Sequence, residues 1–318
     1  MPITVAHQYD AALATRVAEG LPNEVDFRAL EPSPETAWKV PPGAEVLLVS
    51  PNSAVIGLHK DMPAPLGWPF DLQWVHLRST GVDKYPDWLF AVPRVTVTRG
   101  GYAVPISEYV LAAMLAQVKS IPALWASGAR DWQQRPTLGT LAGQTLGIIG
   151  FGEIGKAIAR RALSFDMAVV GTRRTDGPSG MDGVEVVSLD VLLGRADHIV
   201  VAMPLTKETR GMLDAAAFAR MKPGAHLINI ARGAVVDENA LRSALDGNLG
   251  GATLDVAPVE PLPDGHWLYE HPKVRISPHI SGTSPLSDGA VTDYFLSNLE
   301  RYRSGKELLG LVDPDRRY

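Results

Sequence analysis

A glycine-rich segment near the middle of the chain constrains the fold more than any other feature. The segment 145–155 reads TLGIIGFGEIG, an apolar strand pattern followed by a turn and a helix pattern. In this context the first glycine permits a tight turn, the second lets the backbone approach a pyrophosphate, and the third lets the helix pack on the strand. The N–H groups of the helix N-terminus then face the anion. We therefore predict a dinucleotide site rather than a simple glycine-rich turn, contacted by Gly150, Phe151, Gly152, Glu153, Ile154 and Gly155.

Short apolar runs alternate with helix-length segments along the chain, a pattern typical of parallel sheets covered by helices. In the first hundred residues the predicted strands are 3–7, 45–50, 74–77 and 95–98. A second series of predicted strands comprises 145–149, 168–171, 198–202, 226–230, 252–256 and 274–276. Helices are predicted at about 106–119, 154–164, 214–220, 238–246 and 287–304. The second series, with its six strands, suits one doubly wound nucleotide-binding domain.

Composition narrows the function classes. The chain has 318 residues, enough for two domains, with 46% hydrophobic and 20% charged residues, as in globular proteins. Its net charge of −5 argues against a nucleic-acid-binding surface, and no apolar run reaches the length of a membrane span. Cysteine is absent, which removes thiolate chemistry and cysteine-ligated metals, and we expect no metal site. The first ten residues lack a secretory signal pattern, so we expect a cytoplasmic protein.

The second strand of the cofactor series ends in Gly171-Thr172-Arg173-Arg174. A site for NAD usually has Asp or Glu near this point, where it binds the ribose 2′-hydroxyl. Here Thr172 takes that place, so no carboxylate would repel a 2′-phosphate, and an arginine fork can bind one. The alternative is that the arginines are solvated loop charges. For Arg173 we favour phosphate contact, whereas for Arg174 both interpretations stay open.

Three later segments place ionisable residues just past predicted strand ends, where ligands of open α/β sheets bind. They carry Arg232, Glu260 and His279. Hydride addition to a 2-oxo acid needs a cation for the carboxylate and a proton donor for the carbonyl oxygen, roles that Arg and His suit. A carboxylate beside the His favours imidazolium and orients the ring. Taken singly, Arg232 could be a structural ion-pair residue, Glu260 a solvated loop charge and His279 a turn cap.

Several motifs in this order resemble the D-isomer-specific 2-hydroxyacid dehydrogenase family. They include the glycine segment, the three segments just described, STGVD at 79–83, ISEY at 106–109, MPLTKET at 203–209, and a C-terminal helix with Asn298 and Gly305. The resemblance spans nearly the whole chain. It implies an α/β fold of two doubly wound parallel-sheet domains, with a Rossmann cofactor domain (103–285) inserted into a discontinuous flavodoxin-like substrate domain (1–102 and 286–318). The active site would then lie in the interdomain cleft.

The resemblance also implies residue roles. Arg232 would bind the substrate carboxylate and oxo group, His279 would be the acid–base residue paired with Glu260, and the amides near Thr80 and Gly81 would receive the carboxylate. Asp255 would contact the nicotinamide end of the cofactor. The remaining cofactor contacts would be Met203, Pro204, Thr209, Ile230, Ala231, Arg232, His279 and Ser281. The family is usually dimeric through the cofactor domains.

Thr172 and Arg173 are similar to the pattern of NADPH-using glyoxylate and hydroxypyruvate reductases, so we expect NADP(H) to be preferred, with NAD(H) possible. Glu260 stands where the related formate dehydrogenases carry Gln, which argues against formate oxidation. Two alternatives stay open: a dinucleotide-sensing corepressor-like interaction protein, and a dehydrogenase for another 2-oxo acid, such as a phosphoglycerate-type or branched substrate. Arg78 is either a second carboxylate contact or a surface charge. For Trp88 and Trp132 we expect hydrophobic packing rather than a cleft wall.

Overall fold

The structure is a computed structural model that describes residues 2–50, 58–121, 123–133, 136–174 and 177–313. The chain divides into two compact units. We call Met1–Gly101 with Ser284–Tyr318 the terminal unit, and Tyr102–Thr283 the central unit. In the described residues, no helix combines the length and the apolar character needed to cross a membrane.

The described strands are, in chain order, β1 (Ile3–His7), β2 (Val25–Ala29), β3 (Ala44–Val49), β4 (Trp74–Leu77), β5 (Val95–Val97), β6 (Thr145–Ile149), β7 (Ala168–Thr172), β8 (Val184–Val186), β9 (His198–Val201), β10 (His226–Asn229), β11 (Gly251–Leu254) and β12 (Val274–Ile276). The described α-helices are α1 (Ala11–Glu19), α2 (Ala103–Lys119), α3 (Glu153–Leu163), α4 (Leu189–Arg195), α5 (Ala215–Arg220), α6 (Glu238–Asp246), α7 (Trp267–Glu270) and α8 (Pro285–Arg303).

The terminal unit contains a five-stranded sheet in the order β2-β1-β3-β4-β5, with every pair parallel. Helices α1 and α8 cover one face, where Val17 and Phe295 are fully buried against Trp74. The other face packs against loops that carry Trp38 and Trp68 and against a 3-10 helix (Asp87–Ala91) that carries Trp88. This strand order is the flavodoxin-like one, as the family resemblance implied.

The central unit contains a seven-stranded parallel sheet in the order β12-β11-β10-β9-β6-β7-β8. Counted from β6, this is the doubly wound 3-2-1-4-5-6 order with a seventh strand added. Neighbouring residues of one strand serve opposite faces: Ile148 packs with α2 and α3, and Ile149 packs with α4, α5 and α6. The strand order reverses between β6 and β9, the place where ligands of this architecture bind.

The fold class predicted from sequence is confirmed, and the predicted strands agree with the observed ones to within two residues. Five elements were missed: α1, α4, α7, β2 and β8. Strand β8 has only three residues, and β2 is half-buried at best; both lie at sheet edges. An edge strand is less buried and therefore lacks the continuous apolar run that marks a central parallel strand. The cofactor series consequently has seven strands rather than the predicted six.

Four histidines are buried, His7 and three others, His76, His198 and His226, whose pKa values burial lowers by a large amount. Burial lowers the pKa of His76 to about 3. Burial also lowers the pKa of His198 to about 4 and, together with the neighbouring His198, that of His226 to about 3. Nδ1 of His198 lies 3.2 Å from Nδ1 of His226, a distance at which two imidazolium cations would repel each other. The folded protein therefore holds all three rings neutral.

Acid should destabilise the protein well above the range in which carboxylates titrate. Unfolded histidines bind protons below about pH 6.5, while these folded ones remain neutral down to about pH 4. The free energy of unfolding has its full value above about pH 6.5 and falls as the pH is lowered. The fall is roughly 4 kcal/mol per pH unit, because each of the three histidines contributes ~1.4 kcal/mol per pH unit. Urea unfolding between pH 4.5 and 7 measures this slope. His76→Gln should lower this slope by the ~1.4 kcal/mol per pH unit that one proton contributes, while replacing the exposed His59 by Gln should leave the slope unchanged.

Candidate active site

The glycine turn between β6 and α3 leaves space beside the backbone at the carboxyl edge of the sheet. Gly150 has φ +99°, and a Cβ there would lie 2.8 Å from the backbone of Ala202 and from Met203. A Cβ on Gly155 would lie 2.9 Å from the carbonyl oxygen of Gly150. A Cβ on Gly152, in contrast, would meet nothing within 4 Å. The first and third glycines are thus required by close packing, and the second faces open space.

The N-terminus of α3 has the chemistry of a phosphate site. Its N-cap is Gly152, so no side chain caps the first amides, and Glu153 and Ile154 form the first turn. The turn is braced from β7, where the Thr172 hydroxyl accepts from Gly150 N at 3.3 Å and the Thr172 carbonyl accepts from Phe151 N at 2.9 Å. Uncapped amides and the positive end of the helix dipole favour an anion. These residues fit the pyrophosphate of a dinucleotide.

The arginines after β7 are exposed, and Arg173 donates to the carbonyl oxygen of Pro178 at 2.7 Å. No carboxylate occupies residues 171–174. Thr172 is half-buried because its side chain braces the glycine turn. The hydroxyl of Thr172 therefore has a structural partner that the sequence did not reveal, and it keeps a proton to donate.

The loop after β9 closes the space beside the glycine turn. Met203 packs against the position of Gly150, as its distance to a Cβ there shows. Thr209 donates to the Pro204 carbonyl at 2.8 Å and accepts from the amide of Thr206 at 2.8 Å. Thr209 thus shapes the loop from within.

Asn229, the last residue of β10, organises the loop that carries Arg232. Its side chain accepts from Ala231 N at 3.0 Å and donates to the Arg232 carbonyl at 2.9 Å. Ile230 and Ala231 are buried, and the Arg232 guanidinium donates to the Ala231 carbonyl at 2.7 Å. Asn229 was not among the residues predicted for the site. A polar residue ending a buried apolar strand was the available signal, since such a group needs hydrogen-bond partners.

The structure brings His279 and Glu260 together. His279 Nδ1 lies 2.9 Å from Glu260 Oε2, and the other Glu260 oxygen accepts from Ala257 N at 3.2 Å. The His279 side chain remains 41% exposed, so the ring can still receive a substrate. With Nδ1 bound to the carboxylate, Nε2 is the nitrogen left for proton transfer. Because the two residues are paired, the alternative interpretation of Glu260 as a solvated loop charge is excluded.

Asp255 is a buried carboxylate just after β11, and it holds the histidine loop. Its Oδ1 accepts from Ser277 Oγ at 2.6 Å and from Ile280 N at 2.9 Å. Its Oδ2 accepts from Ser281 N at 3.0 Å. The carboxylate is 1% exposed, and these three donors offset the cost of its burial. Asp255 and Ser281 therefore share one loop-stabilising interaction.

Gly233 allows two of the site loops to touch. A Cβ at Gly233 would lie 2.1 Å from the carbonyl carbon of Ala257 and 2.4 Å from Pro258 N. The backbone after Arg232 therefore contacts the backbone that leads to Glu260, and only glycine fits. Among the described residues, no group of three or more His, Asp or Glu side chains is placed to hold a metal ion.

The terminal unit carries the other predicted residues. Thr80 donates to the Thr98 carbonyl at 2.7 Å, and Ser79 donates to the Gly81 carbonyl at 2.9 Å, so this loop is held by its own hydroxyls. Arg78 forms an ion pair with Asp288 in the first turn of α8. It is therefore bound within the unit rather than a plain surface charge.

The two singled-out tryptophans behave differently. Trp88 packs 4.6 Å from the Trp68 ring and 5.2 Å from the Trp38 ring, and its indole N–H donates to Met62 O at 2.7 Å. Hydrophobic packing is thus confirmed for Trp88. The same expectation is wrong for Trp132, which is 77% exposed in a 3-10 helix (Ala129–Gln133). This 3-10 helix contains no buried residue, so it offers no core against which the ring could pack.

Comparison with known proteins decides the family. Residues 111–281, more than half of the chain, match the family model described as D-isomer specific 2-hydroxyacid dehydrogenase, NAD binding domain. The chain belongs to this family. The glycerate dehydrogenase of Methylorubrum extorquens is 32% identical over 277 residues, covering 83% of this chain and 84% of that protein. The glyoxylate reductase of Thermococcus litoralis is 38% identical over 195 residues, 60% of this chain and 59% of that protein.

Other members of the D-isomer specific 2-hydroxyacid dehydrogenase family match in part or in fold. The D-3-phosphoglycerate dehydrogenase of Mycobacterium tuberculosis is 40% identical over 193 residues, 59% of this chain, and the match spans only 36% of that longer protein. A family member from Xanthobacter autotrophicus, solved in complex with NADPH and MES, has a TM-score of 0.78 and 28% identity and covers all of both chains. The two-domain parallel-sheet architecture is thus the family's own.

Substituting Gly233 should test the contact between the two site loops. Gly233→Ala places a methyl group inside the Ala257–Pro258 backbone, and such overpacking typically costs about 1–3 kcal/mol. We expect a lower thermal midpoint, measured by calorimetry. Gly128→Ala is the matched control, since a Cβ there meets nothing within 4 Å and its φ is not positive. Equal midpoints for Gly233→Ala and wild type would show that the loops do not depend on this approach.

Proposed function

We propose that the protein is an NADPH-dependent reductase of small 2-oxo acids of the glyoxylate and hydroxypyruvate type. The observation that carries the proposal is the His279–Glu260 pair, which lies at the carboxyl edge of the sheet that also holds the open glycine turn. An imidazole held by a carboxylate is a proton donor suited to a developing alkoxide. The match to a glycerate dehydrogenase over most of both chains supports the hydroxypyruvate–glycerate pair, and the match to a glyoxylate reductase supports the shorter substrate.

The residues present fit a dinucleotide. The uncapped amides of α3 would receive the pyrophosphate, with Gly150 to Gly155 forming the cradle. Thr172, Arg173 and Arg174 would surround the adenosine ribose. The remainder would be lined by Met203, Pro204, Thr209, Ile230, Ala231, Arg232, Asp255, His279 and Ser281. When bound, the cofactor supplies a hydride for the substrate carbonyl carbon. The overall reaction consumes the 2-oxo acid, NADPH and one proton, and it yields the 2-hydroxy acid and NADP⁺.

Each side chain of the site has one task in this reaction. The Arg232 guanidinium binds the substrate carboxylate and orients the carbonyl. His279 donates the proton from Nε2 to the carbonyl oxygen as negative charge develops there. Glu260 accepts from Nδ1, which fixes the ring orientation and leaves Nε2 for proton transfer. Oxidation of the 2-hydroxy acid would run the same steps in reverse.

A panel of 2-oxo acids assayed with NADPH and with NADH tests the proposal. We expect glyoxylate and hydroxypyruvate to be reduced faster than 3-phosphohydroxypyruvate and branched 2-oxo acids. Loss of NADPH absorbance at 340 nm measures each rate. If no 2-oxo acid is reduced while the dinucleotide still binds, the protein is a dinucleotide-responsive binding protein and the proposal is wrong.

Replacing the proton donor should reduce turnover. His279→Ala should lower kcat by about 10²–10⁴-fold, with the dissociation constant of NADPH nearly unchanged. Glu260→Gln keeps an acceptor oxygen but loses the charge, so a smaller fall in kcat is expected. His271→Ala is the matched control, because His271 pairs with Asp246 but precedes β12, away from the carboxyl edge. Turnover of His279→Ala within a few-fold of wild type would exclude His279 as the donor.

Cofactor preference should follow Arg173. A hydrogen bond to a charged group contributes about 1.5–3 kcal/mol, so one arginine–phosphate contact corresponds to roughly one to two decades of preference for NADPH. Exposure of the arginine and added salt should reduce this. Arg173→Ala should weaken NADPH binding and spare NADH, and Arg174→Ala should do so less. Arg195→Ala, at an exposed arginine paired with Glu185, is the control. Equal dissociation constants of NADPH and NADH for the wild type, measured by calorimetry, would contradict the predicted preference for NADPH.

We also propose a homodimer formed through the central unit. Residues 121–138 expose Trp125 by 72% and Trp132 by 77%, together with Ile121, Leu124 and Leu138. Large exposed apolar side chains in one segment are typical of association surfaces. Light scattering should give twice the chain mass of 34.2 kDa, and the monomer mass at micromolar concentration would contradict the proposal.

We also propose that the enzyme is located in the cytoplasm.

A further inference from the structure

A chain of hydroxyl groups connects α2 to the histidine loop. The Tyr109 hydroxyl lies 2.7 Å from Ser277 Oγ, which lies 2.6 Å from Asp255 Oδ1. Tyr109 comes from the second turn of α2, and its ring packs with the buried residues of that face. Ser277 follows β12 directly, and its amide donates to the Leu254 carbonyl at 2.9 Å. The three side chains thus join α2, β11 and β12.

The direction of the hydrogen bonds follows from counting protons. Asp255 is an acceptor when ionised, so Ser277 must donate its single proton to Oδ1. The Ser277 oxygen can then only accept from Tyr109, whose hydroxyl becomes the donor. Burial raises the pKa of Tyr109, which keeps that proton in place. The chain therefore runs from Tyr109 through Ser277 to the Asp255 carboxylate.

The loop that this carboxylate holds carries His279 in an unusual conformation. His279 has φ +56°, in the left-handed region that side chains other than glycine rarely adopt. Its own amide donates to the Ser277 carbonyl at 3.0 Å, and the next two amides, of Ile280 and Ser281, donate to Asp255. A strained backbone persists only where its surroundings fix it. Here those surroundings are the Asp255 carboxylate and the Ser277 hydroxyl that orients it.

We propose that Tyr109 is a positioning residue that acts through Ser277 and Asp255 to hold the His279 loop in its reactive conformation. The inference rests on the proposed role of His279 as proton donor. The Tyr109 hydroxyl is bound to Ser277 and not to His279, so its effect is transmitted by the two hydrogen bonds. Removing its hydroxyl leaves Ser277 free to rotate away from Oδ1, which loosens the amides of Ile280 and Ser281 and with them the Nδ1–Glu260 contact.

Tyr109→Phe removes the donor and keeps the ring. We expect kcat to fall about three- to tenfold, the loss typical of one buried hydrogen bond, with the KM of the 2-oxo acid nearly unchanged. Amide hydrogen exchange at Ile280 and Ser281, resolved by fragmentation mass spectrometry, should accelerate by a similar factor. Tyr302→Phe is the matched control: its half-buried hydroxyl donates to Glu45 in the terminal unit, and neither readout should change.

Ser277 variants show whether Tyr109 acts through this path. Ser277→Ala should reproduce or exceed the effect of Tyr109→Phe, Ser277→Thr should restore much of kcat, and the double variant Tyr109→Phe/Ser277→Ala should be no worse than Ser277→Ala alone. Fully additive losses, or exchange at Ile280 and Ser281 unchanged in Tyr109→Phe, would overturn the proposal. Faster exchange with undiminished kcat would also overturn it. The exchange readout needs no substrate, so it decides the relay even if wild type reduces no 2-oxo acid.

Discussion

Parallel strand pairing is the constraint on which the rest of this structure depends. In the central unit every strand runs the same way, so the loops after β6, β7, β9, β10, β11 and β12 all emerge at one edge. Arg232, Glu260 and His279 are far apart in sequence, yet they follow three adjacent strands, β10, β11 and β12. The same edge holds the uncapped N-terminus of α3. A phosphate site and an acid–base pair therefore share an edge because of topology, not because of sequence proximity.

Loops at such an edge must be held in place, and this chain does so with buried polar groups. Asn229 shapes the Arg232 loop, Asp255 gathers three donors from the His279 loop, and Thr172 braces the glycine turn. Each group ends or follows a buried strand, where an unpaired polar atom would be costly. The hydrogen bonds that pair each polar atom also fix the loop. Gly233 fixes two of these loops by steric means, because only glycine lets their backbones touch.

The opposite edge of the sheet contains ionisable groups of another kind. His198 and His226 begin β9 and β10, and both are buried and neutral. They make the free energy of unfolding depend on pH and take no part in proton transfer, which separates them from the partly exposed His279. A sequence shows eight histidines without distinguishing them. Burial makes the difference, because desolvation disfavours the charged form that a general acid must reach.

The sequence alone determined the fold class, the central strands, the glycine turn and the candidate residues Arg232, Glu260 and His279, because these depend on local periodicity and on residue chemistry next to strand ends. It missed β2 and β8, whose edge positions leave no continuous apolar pattern. It also assigned Trp132 to packing and gave Asn229, Tyr109 and Ser277 no role. Only the tertiary structure decided those points, as well as the 2.9 Å contact between His279 and Glu260. Hydrogen bonds between residues so distant in the chain depend on how strands align, and no local pattern encodes that alignment.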